Sequence, residues 1–163
     1  MSEDLYFKNL IKYPAPEDWI KFASKYRIGP VWLVDDPSLN RSIRVGKEIF
    51  VNIRGEFWRN YKELFNAETY EESVVLKFLH EIGHIVRAHS GNPELKITST
   101  GISEEFEKKV SQTPLNEILN DPYEKEAWDF ALEIRRNQPE LFQKLLSAYK
   151  TWYQNYPYAK NWG

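Results

Sequence analysis

The chain has 163 residues, of which 42% are apolar and 28% charged, with a net charge of -2 and an isoelectric point near 6.0. This composition is that of a globular protein, and the length fits one domain spanning residues 1–163. The balanced charge excludes a protein that coats nucleic acid or an anionic membrane, so we expect neither as a partner.

The chain contains no cysteine, which excludes both disulfides and thiolate metal sites. The N-terminal sequence MSEDLYFKNL carries acids where a signal peptide has a basic start. No window of the sequence is apolar for long enough to span a bilayer. We therefore expect a cytoplasmic protein without a membrane segment.

The first part of the chain predicts one helix followed by short strands. The helix is expected from about Glu17 to Tyr26, and Gly29-Pro30 ends it. Three strands are expected next, at Val31–Val34, Ser42–Val45 and Glu48–Ile53. Turn-forming residues separate these strands, which predicts a small sheet.

From about residue 57 onward, the sequence predicts helices nearly to its end. Thr69 and Glu72 have the spacing of a capping box and predict the start of a long central helix that ends near His89 and Gly91. Further helices are expected from Ser103, from Asp121-Pro122 and, after the break at Asn137–Pro139, as far as about Tyr153. This order predicts an α+β fold, in which a small antiparallel or mixed sheet packs on a mainly helical domain.

The central helix carries the sequence His80-Glu81-Ile82-Gly83-His84. Residues four apart lie about 40° apart around a helix, so the two histidines can bind one zinc ion. The glutamate beside the first histidine can act as a base on water that the metal activates. We therefore predict that His80 and His84 are zinc ligands and that Glu81 is the catalytic base.

The distribution of apolar residues around this helix supports the prediction. His80 and His84 lie on one side, together with Ser73 and Lys77. The apolar residues lie between about 140° and 260° from His80: Val75, Phe78, Leu79, Ile82, Ile85 and Val86. The histidines are therefore expected to face a cleft, and histidines packed in the core are the alternative.

The third histidine, His89, is excluded as a ligand because it is expected at about 180° from His80, on the core side of the helix. Its expected roles are packing and interaction with the helix C-terminus. An extended zinc motif would require a histidine at Ser90 and a glycine at Arg87, so a metzincin is not expected. The remaining ligand must therefore be a carboxylate.

The segment Glu124-Lys125-Glu126-Ala127-Trp128-Asp129-Phe130-Ala131 offers the strongest candidates for this carboxylate. On a helix, Glu124 lies roughly 40° from the centre of the inward side, whereas Glu126 lies roughly 120° away. We predict Glu124 as the third zinc ligand and keep Glu126 as the alternative. In a further alternative, Glu124 binds no metal and only stabilises the N-terminus of the helix that Asp121-Pro122 predicts.

In three segments of its sequence, the chain resembles the ImmA/IrrE-type, gluzincin-like metallopeptidases. The similarity covers about residues 30–136 and rests on Glu48–Ile53, Phe78–Val86 and Glu124–Ala131. It implies a zincin-like fold around the central helix and assigns the third zinc ligand to Glu124. It also implies a zinc-dependent endopeptidase that cleaves a partner regulatory protein, for example a helix-turn-helix repressor.

Two features depart from that family pattern. Many gluzincins place Asp or Asn four residues after the ligand glutamate, but Trp128 stands there, and an indole N–H can only donate. Asp129, a backbone carbonyl or a more distant group would then have to hold a ligand histidine. The long segment from Gly91 to Asp121 is expected to form a lid or a recognition insert.

The expected partner is a protein substrate. The strand Phe50–Ile53 is predicted to offer an edge on which an extended substrate pairs. The aromatic stretch Trp152–Tyr158 is expected to pack in the core, with partner binding as the alternative. The alternative function is a zinc-bound regulatory binding module with little or no proteolytic turnover, against which the intact Glu81 argues, because a structural zinc site needs no base.

Overall fold

The computed structural model describes residues 11–35, 43–45, 47–53, 62, 65–87, 97–98, 101–102 and 122–156. The elements within them are, in chain order, β1 (Lys12–Pro14), α1 (Glu17–Ser24), β2 (Val31–Val34), β3 (Ile43–Val45), β4 (Glu48–Asn52), α2 (Tyr70–Val86), β5 (Ile97–Thr98), β6 (Gly101–Ile102), α3 (Pro122–Asn137) and α4 (Pro139–Gln154). The predicted α+β class is confirmed. None of these four helices is long and apolar enough to cross a membrane.

A four-stranded mixed sheet forms one part of the fold, with the strand order β1-β2-β4-β3. β1 is antiparallel to β2, β3 is antiparallel to β4, and the central pair β2 and β4 is parallel. β4 is therefore an inner strand. The prediction that Phe50–Ile53 offers a free edge is wrong at Phe50, which pairs with Trp32 on one side and Ile43 on the other.

The core lies between one face of this sheet and the helices. Alternate residues of β2 and β4 are buried in it: Val31, Leu33, Ile49 and Val51. Trp19 of α1 stacks on Phe78 of α2 with ring centroids 4.4 Å apart, and its Nε1 donates to the carbonyl of Leu145 in α4 at 2.9 Å. These contacts pack α1, α2 and α4 together, and α2 also lies against β4.

Helix α2 begins where the capping signal predicts. Thr69 is the N-cap, and its side chain accepts a hydrogen bond from the backbone N–H of Glu72 at 3.2 Å. The hydroxyl of buried Tyr70 donates to the backbone carbonyl of Ile53, just after β4, and lies 2.8 Å from the hydroxyl of Tyr149. This pair of tyrosines fixes the start of α2 against β4 and α4.

The two C-terminal helices follow proline signals. α3 begins at Pro122 and α4 at Pro139, both as predicted. α2 ends at Val86, earlier than predicted. His89 and the helix predicted from Ser103 lie outside the described residues.

A two-stranded hairpin stands where the sequence predicted only an insert between helices. In it Ile97 lies opposite Ile102, and Thr98 lies opposite Gly101. The rest of the insert from Gly91 to Asp121 lies outside the described residues. The local signal that could have found the hairpin is the presence of the β-branched residues Ile97, Thr98 and Ile102 within a few positions of Gly101.

The aromatic residues at the end of α4 pack inward. Trp152 stacks on Tyr149 and Tyr156, with ring centroids 5.8 and 5.0 Å apart. Tyr13 of β1 meets both Trp152 and Tyr156 edge-on, and the hydroxyl of Tyr156 donates to Asp35 at 2.9 Å. Core packing is therefore confirmed for this stretch as far as Tyr156, and the residues after it lie outside the described ranges.

The side of α2 that carries the histidines is buried rather than open. Lys77 is only 4% exposed, and Ser73 is fully buried, with its hydroxyl donating to the carbonyl of Tyr70 at 2.6 Å. Both residues lie on the side of the helix that the sequence pattern assigned to the histidines, and both are buried. Periodicity could not predict this, because burial of the polar side of a helix depends on which other segments pack over it.

Replacing Lys77 by Met is expected to raise the free energy of unfolding, by an amount that depends on pH. Burial lowers the pKa of Lys77 from 10.5 to about 8, so the unfolded chain binds this proton more tightly than the native state. The native state therefore gains stability from this group between pH 8 and 10.5, by about 3 kcal/mol at about 1.4 kcal/mol per pKa unit. Denaturant unfolding should show that the advantage of Lys77→Met over wild type shrinks between about pH 7 and about pH 10.

The control for this experiment is Lys144→Met, which removes an exposed lysine from α4. It separates the effect of burial from that of losing one positive charge. A difference between Lys77→Met and wild type that stays constant over this pH range would contradict a buried, costly charge at Lys77.

Candidate metal centre

Side chains from α2 and α3 converge at one point. Nε2 of His80 lies 2.8 Å from Oε2 of Glu124, and Nε2 of His84 lies 3.2 Å from Oε1 of the same carboxylate. The potential ligand atoms of these three residues all lie within 4.8 Å of one another. The structure thus brings together the three residues that the sequence predicted as zinc ligands.

The donor set and its spacing suit a zinc ion. Zinc takes imidazole nitrogen and carboxylate oxygen at about 2.0–2.2 Å in tetrahedral geometry, which places the donor atoms about 3.3–3.5 Å apart. The separations of Glu124 from His80 and His84, 2.8 and 3.2 Å, require only small adjustments to reach this geometry. Two imidazoles and one carboxylate leave the fourth position for water or substrate, as in catalytic rather than structural zinc sites.

Among the described residues, Glu126, the alternative third ligand, takes no part in this cluster. It is exposed on α3. Residues two apart point about 160° apart around a helix, so only one of Glu124 and Glu126 can face α2. The structure brings Glu124 to the histidines.

Helix periodicity and a close helix contact set the position of the three side chains. His80 and His84 are one turn apart on α2, and Glu124 lies in the first turn of α3. Between the two histidines, a Cβ at Gly83 would lie 2.7 Å from the backbone oxygen of Ala127 in α3. Because no real Cβ approaches a backbone atom so closely, only glycine allows α2 and α3 this separation.

The carboxylate of Glu124 sets the direction of the pKa shift at His80, whereas burial sets it at His84. Burial alone would lower the pKa of His80, but the charge and hydrogen bond of Glu124 raise it to about 9. Burial, together with the nearby charge of His80, lowers the pKa of His84. Burial alone would raise the pKa of Glu124, but the charge of His80 holds it well below its usual range. At neutral pH a proton on His80 therefore competes with a metal ion.

The predicted base, Glu81, lies beside the ligands. It is 6% exposed, and its Oε1 lies 3.4 Å from Nδ1 of His80, the ring nitrogen that does not contact Glu124. This distance is longer than the range of about 2.7–3.2 Å that is usual for N–H···O hydrogen bonds. An acceptor at Nδ1 favours the tautomer in which Nε2 of His80 is free to bind a metal.

The two residues that follow Ala127 differ from what the sequence suggested. The carboxylate of Asp129 is half exposed and lies 3.4 Å from Lys125, so it does not hold a histidine. Trp128 is 3% exposed, and its ring stacks on that of His80 with centroids 4.2 Å apart and planes 19° apart. The sequence pattern placed Trp128 on the inward side of this helix, as observed, but only its hydrogen-bond donor was considered, and the contact of its aromatic face was missed.

Arg135 of α3 holds the first turn of α2 through a largely buried ion pair and the segment before α2 through hydrogen bonds. Nη1 of Arg135 lies 2.8 Å from Oε1 of Glu72, and the guanidinium also donates to the backbone carbonyls of Phe65 and Asn66 at 2.6 and 3.2 Å. Asn66 has φ 56°, a left-handed conformation that asparagine adopts more readily than most residues. Phe65, which these contacts fix, stacks on Trp128 with centroids 4.1 Å apart. Among these residues only Glu72 carried a sequence signal, that of the capping box with Thr69.

Comparisons with known proteins found no matching family model, no matching curated protein and no matching solved structure. The functional interpretation therefore depends on the residues of this site. The motif on α2 and its contacts with Glu124 are the observations from which a function can be inferred.

Proposed function

We propose that this protein is a zinc-dependent endopeptidase that cleaves a partner regulatory protein. The observation that carries the proposal is the convergence of His80, His84 and Glu124 beside the carboxylate of Glu81. The resemblance to ImmA/IrrE-type metallopeptidases supports a zincin-like fold and a helix-turn-helix repressor as the substrate. A cytoplasmic location is part of the proposal and agrees with the absence of cysteine.

In the proposed mechanism, the Nε2 atoms of His80 and His84 and the carboxylate of Glu124 would hold the ion. Zinc in such a site would lower the pKa of a water molecule to near neutrality and polarise the scissile carbonyl. The carboxylate of Glu81 accepts the proton of the attacking water and then delivers a proton to the nitrogen of the leaving amine. Glu81 thus ends the reaction in the ionisation state in which it began.

Burial supports the assignment of His80, His84 and Glu124 as metal ligands. The side chains of His80 and His84 are 12% and 5% exposed, and that of Glu124 is 19% exposed. Charges interact more strongly where water is largely excluded, so the carboxylate holds a cation more firmly there than at the surface. The greater exposure of Glu124 places the accessible side of the cluster at the start of α3.

The same burial favours a second candidate function, a zinc-bound regulatory binding module with little or no turnover. A polypeptide substrate has to reach the carboxylate of Glu81, whose side chain is only 7% exposed. A site closed in this way can still bind zinc, and the protein can still bind a regulator through its surface. The two functions therefore differ in whether a bound partner is cut.

Zinc content is the test that both functions must pass. We expect wild-type protein to bind zinc at about one ion per chain and His84→Ala to lose most of it, because two ligands hold zinc weakly. Glu133→Ala, which removes a carboxylate of α3 outside the cluster, is the control and should keep its zinc. A folded wild-type protein that takes up no zinc would contradict both functions.

A further inference from the structure

We propose that Trp128 is a positioning residue, which holds the imidazole of His80 in the orientation that a metal ligand needs. The inference deepens the proposed function and rests on its metal site, but not on peptide hydrolysis. Trp128 is 3% exposed, so it acts through His80 rather than on a substrate.

The first support is the geometry of the ring contact. The rings of His80 and Trp128 lie 4.2 Å apart and nearly parallel, at 19°. An imidazole can rotate about its Cβ–Cγ bond, and this rotation swings Nε2 away from Glu124. A ring turned in this way would push its edge into the indole face, so the stack restricts the rotation. The contact of Nδ1 with Glu81, at 3.4 Å, is too long to restrict it as firmly.

The second support is that Trp128 is itself held in place. Its ring also stacks on that of Phe65, with centroids 4.1 Å and planes 19° apart. The backbone carbonyl of Phe65 accepts a hydrogen bond at 2.6 Å from Arg135, which lies two turns after Trp128 on α3. Arg135 also pairs with Glu72 of α2. The indole is thus held by its own helix and by a neighbouring ring that is anchored to both α2 and α3.

If Trp128 only packed in the core, its side chain would need a suitable volume but not a flat shape. An aliphatic side chain of suitable size fills buried volume, whereas only a flat ring can fix the plane of a second ring. The shape of the side chain at residue 128 therefore separates a positioning role from a packing role.

Zinc affinity and the visible spectrum of the Co2+-substituted protein test the inference. Trp128→Leu keeps an apolar side chain without a flat ring, and we expect it to weaken zinc binding about tenfold and to change the Co2+ bands that report ligand geometry. Trp128→Phe keeps a ring and should bind zinc within about threefold of wild type. The control, Trp152→Leu, removes an aromatic stack of α4 and should leave affinity and spectrum unchanged.

Wild-type affinity and spectrum in Trp128→Leu would overturn the inference, as would a Trp128→Phe variant that binds no better than Trp128→Leu. If Trp128→Leu does not fold, the variant Phe65→Leu tests the inference instead. This variant keeps the indole of Trp128 but removes the ring of Phe65, which supports the indole. We expect Phe65→Leu to weaken zinc binding about threefold, and an unchanged affinity and Co2+ spectrum would overturn the inference. A wild-type protein without zinc contradicts the proposed function instead, so the two failures are distinct.

Discussion

Replacing Glu81 by Gln is expected to abolish cleavage of the partner protein while zinc stays bound. Glutamine has nearly the same shape but cannot accept the proton of water, and loss of a general base typically lowers the rate by about 10²–10⁴. Glu81 is not one of the three clustered residues that can hold a metal, so the zinc content should remain that of wild type. The measurement is mass spectrometry of a co-expressed helix-turn-helix repressor, with zinc determined in the same samples.

The matched control is Glu126→Gln, which makes the same chemical change on the exposed side of α3. It should cleave the repressor as wild type does. A repressor that stays intact with wild type, but is purified in complex with it, would favour the binding module. Equal cleavage by wild type and Glu81→Gln would contradict the role assigned to this carboxylate.

Replacing Glu124 by Ala is expected to cause the largest loss of zinc among the carboxylate variants. Removing a supporting residue around a metal site costs about 10–100-fold in affinity, and removing a ligand should cost more, so we expect a loss above about 100-fold. Isothermal titration with zinc measures it, and Glu126→Ala is the control because that side chain is exposed. Full zinc affinity in Glu124→Ala, or its loss in Glu126→Ala, would reverse the assignment.

The same variant should change how stability depends on pH in zinc-free buffer. Burial alone would lower the pKa of His80, but Glu124 raises it from 6.5 to about 9. A pKa raised in the native state adds stability that is complete below pH 6.5 and is lost as the pH rises through about 9. Glu124→Ala should therefore destabilise the protein more at about pH 6 than at about pH 10, as measured by urea unfolding. An equal effect at both values would argue against the His80–Glu124 ion pair.

The helix starts could be predicted because their signals are local. Thr69 caps α2 through its own side chain, and Pro122 and Pro139 open the next two helices. The pairing of His80 with His84 follows from helix periodicity alone. Glu124 could be placed for the same reason, since its angle relative to the apolar side of α3 decides whether it faces α2.

Burial around α2 could not be predicted because it depends on segments far away in the sequence. Val86 belongs to the apolar stripe by periodicity, yet it is 36% exposed at the last turn of the helix. Lys77 belongs to the polar side, yet it is buried. Amphipathic patterns give the average direction of a helix face, and they do not show where the neighbouring elements end.

The contact between Trp128 and His80 was missed for a different reason. From the sequence, we considered only hydrogen bonds as the means of orienting a ligand histidine, so a carboxylate such as Asp129 was a candidate to hold it. The structure places an aromatic face against the imidazole instead. A tryptophan offers a ring surface as well as a donor, and only the packing of α3 against α2 decides which of them meets the histidine.

Because Gly83 lets α2 and α3 touch along their main chains, the distance between the two helices is set by folding. The entropy cost of gathering ligands from two distant parts of the chain is then met when the core forms, and not when a metal binds. In this respect the proposed zinc site would differ from a zinc finger, whose fold depends on its ion. A site of this kind would gain or lose zinc without refolding, so under the proposed function the supply of free zinc would set the fraction of active protein.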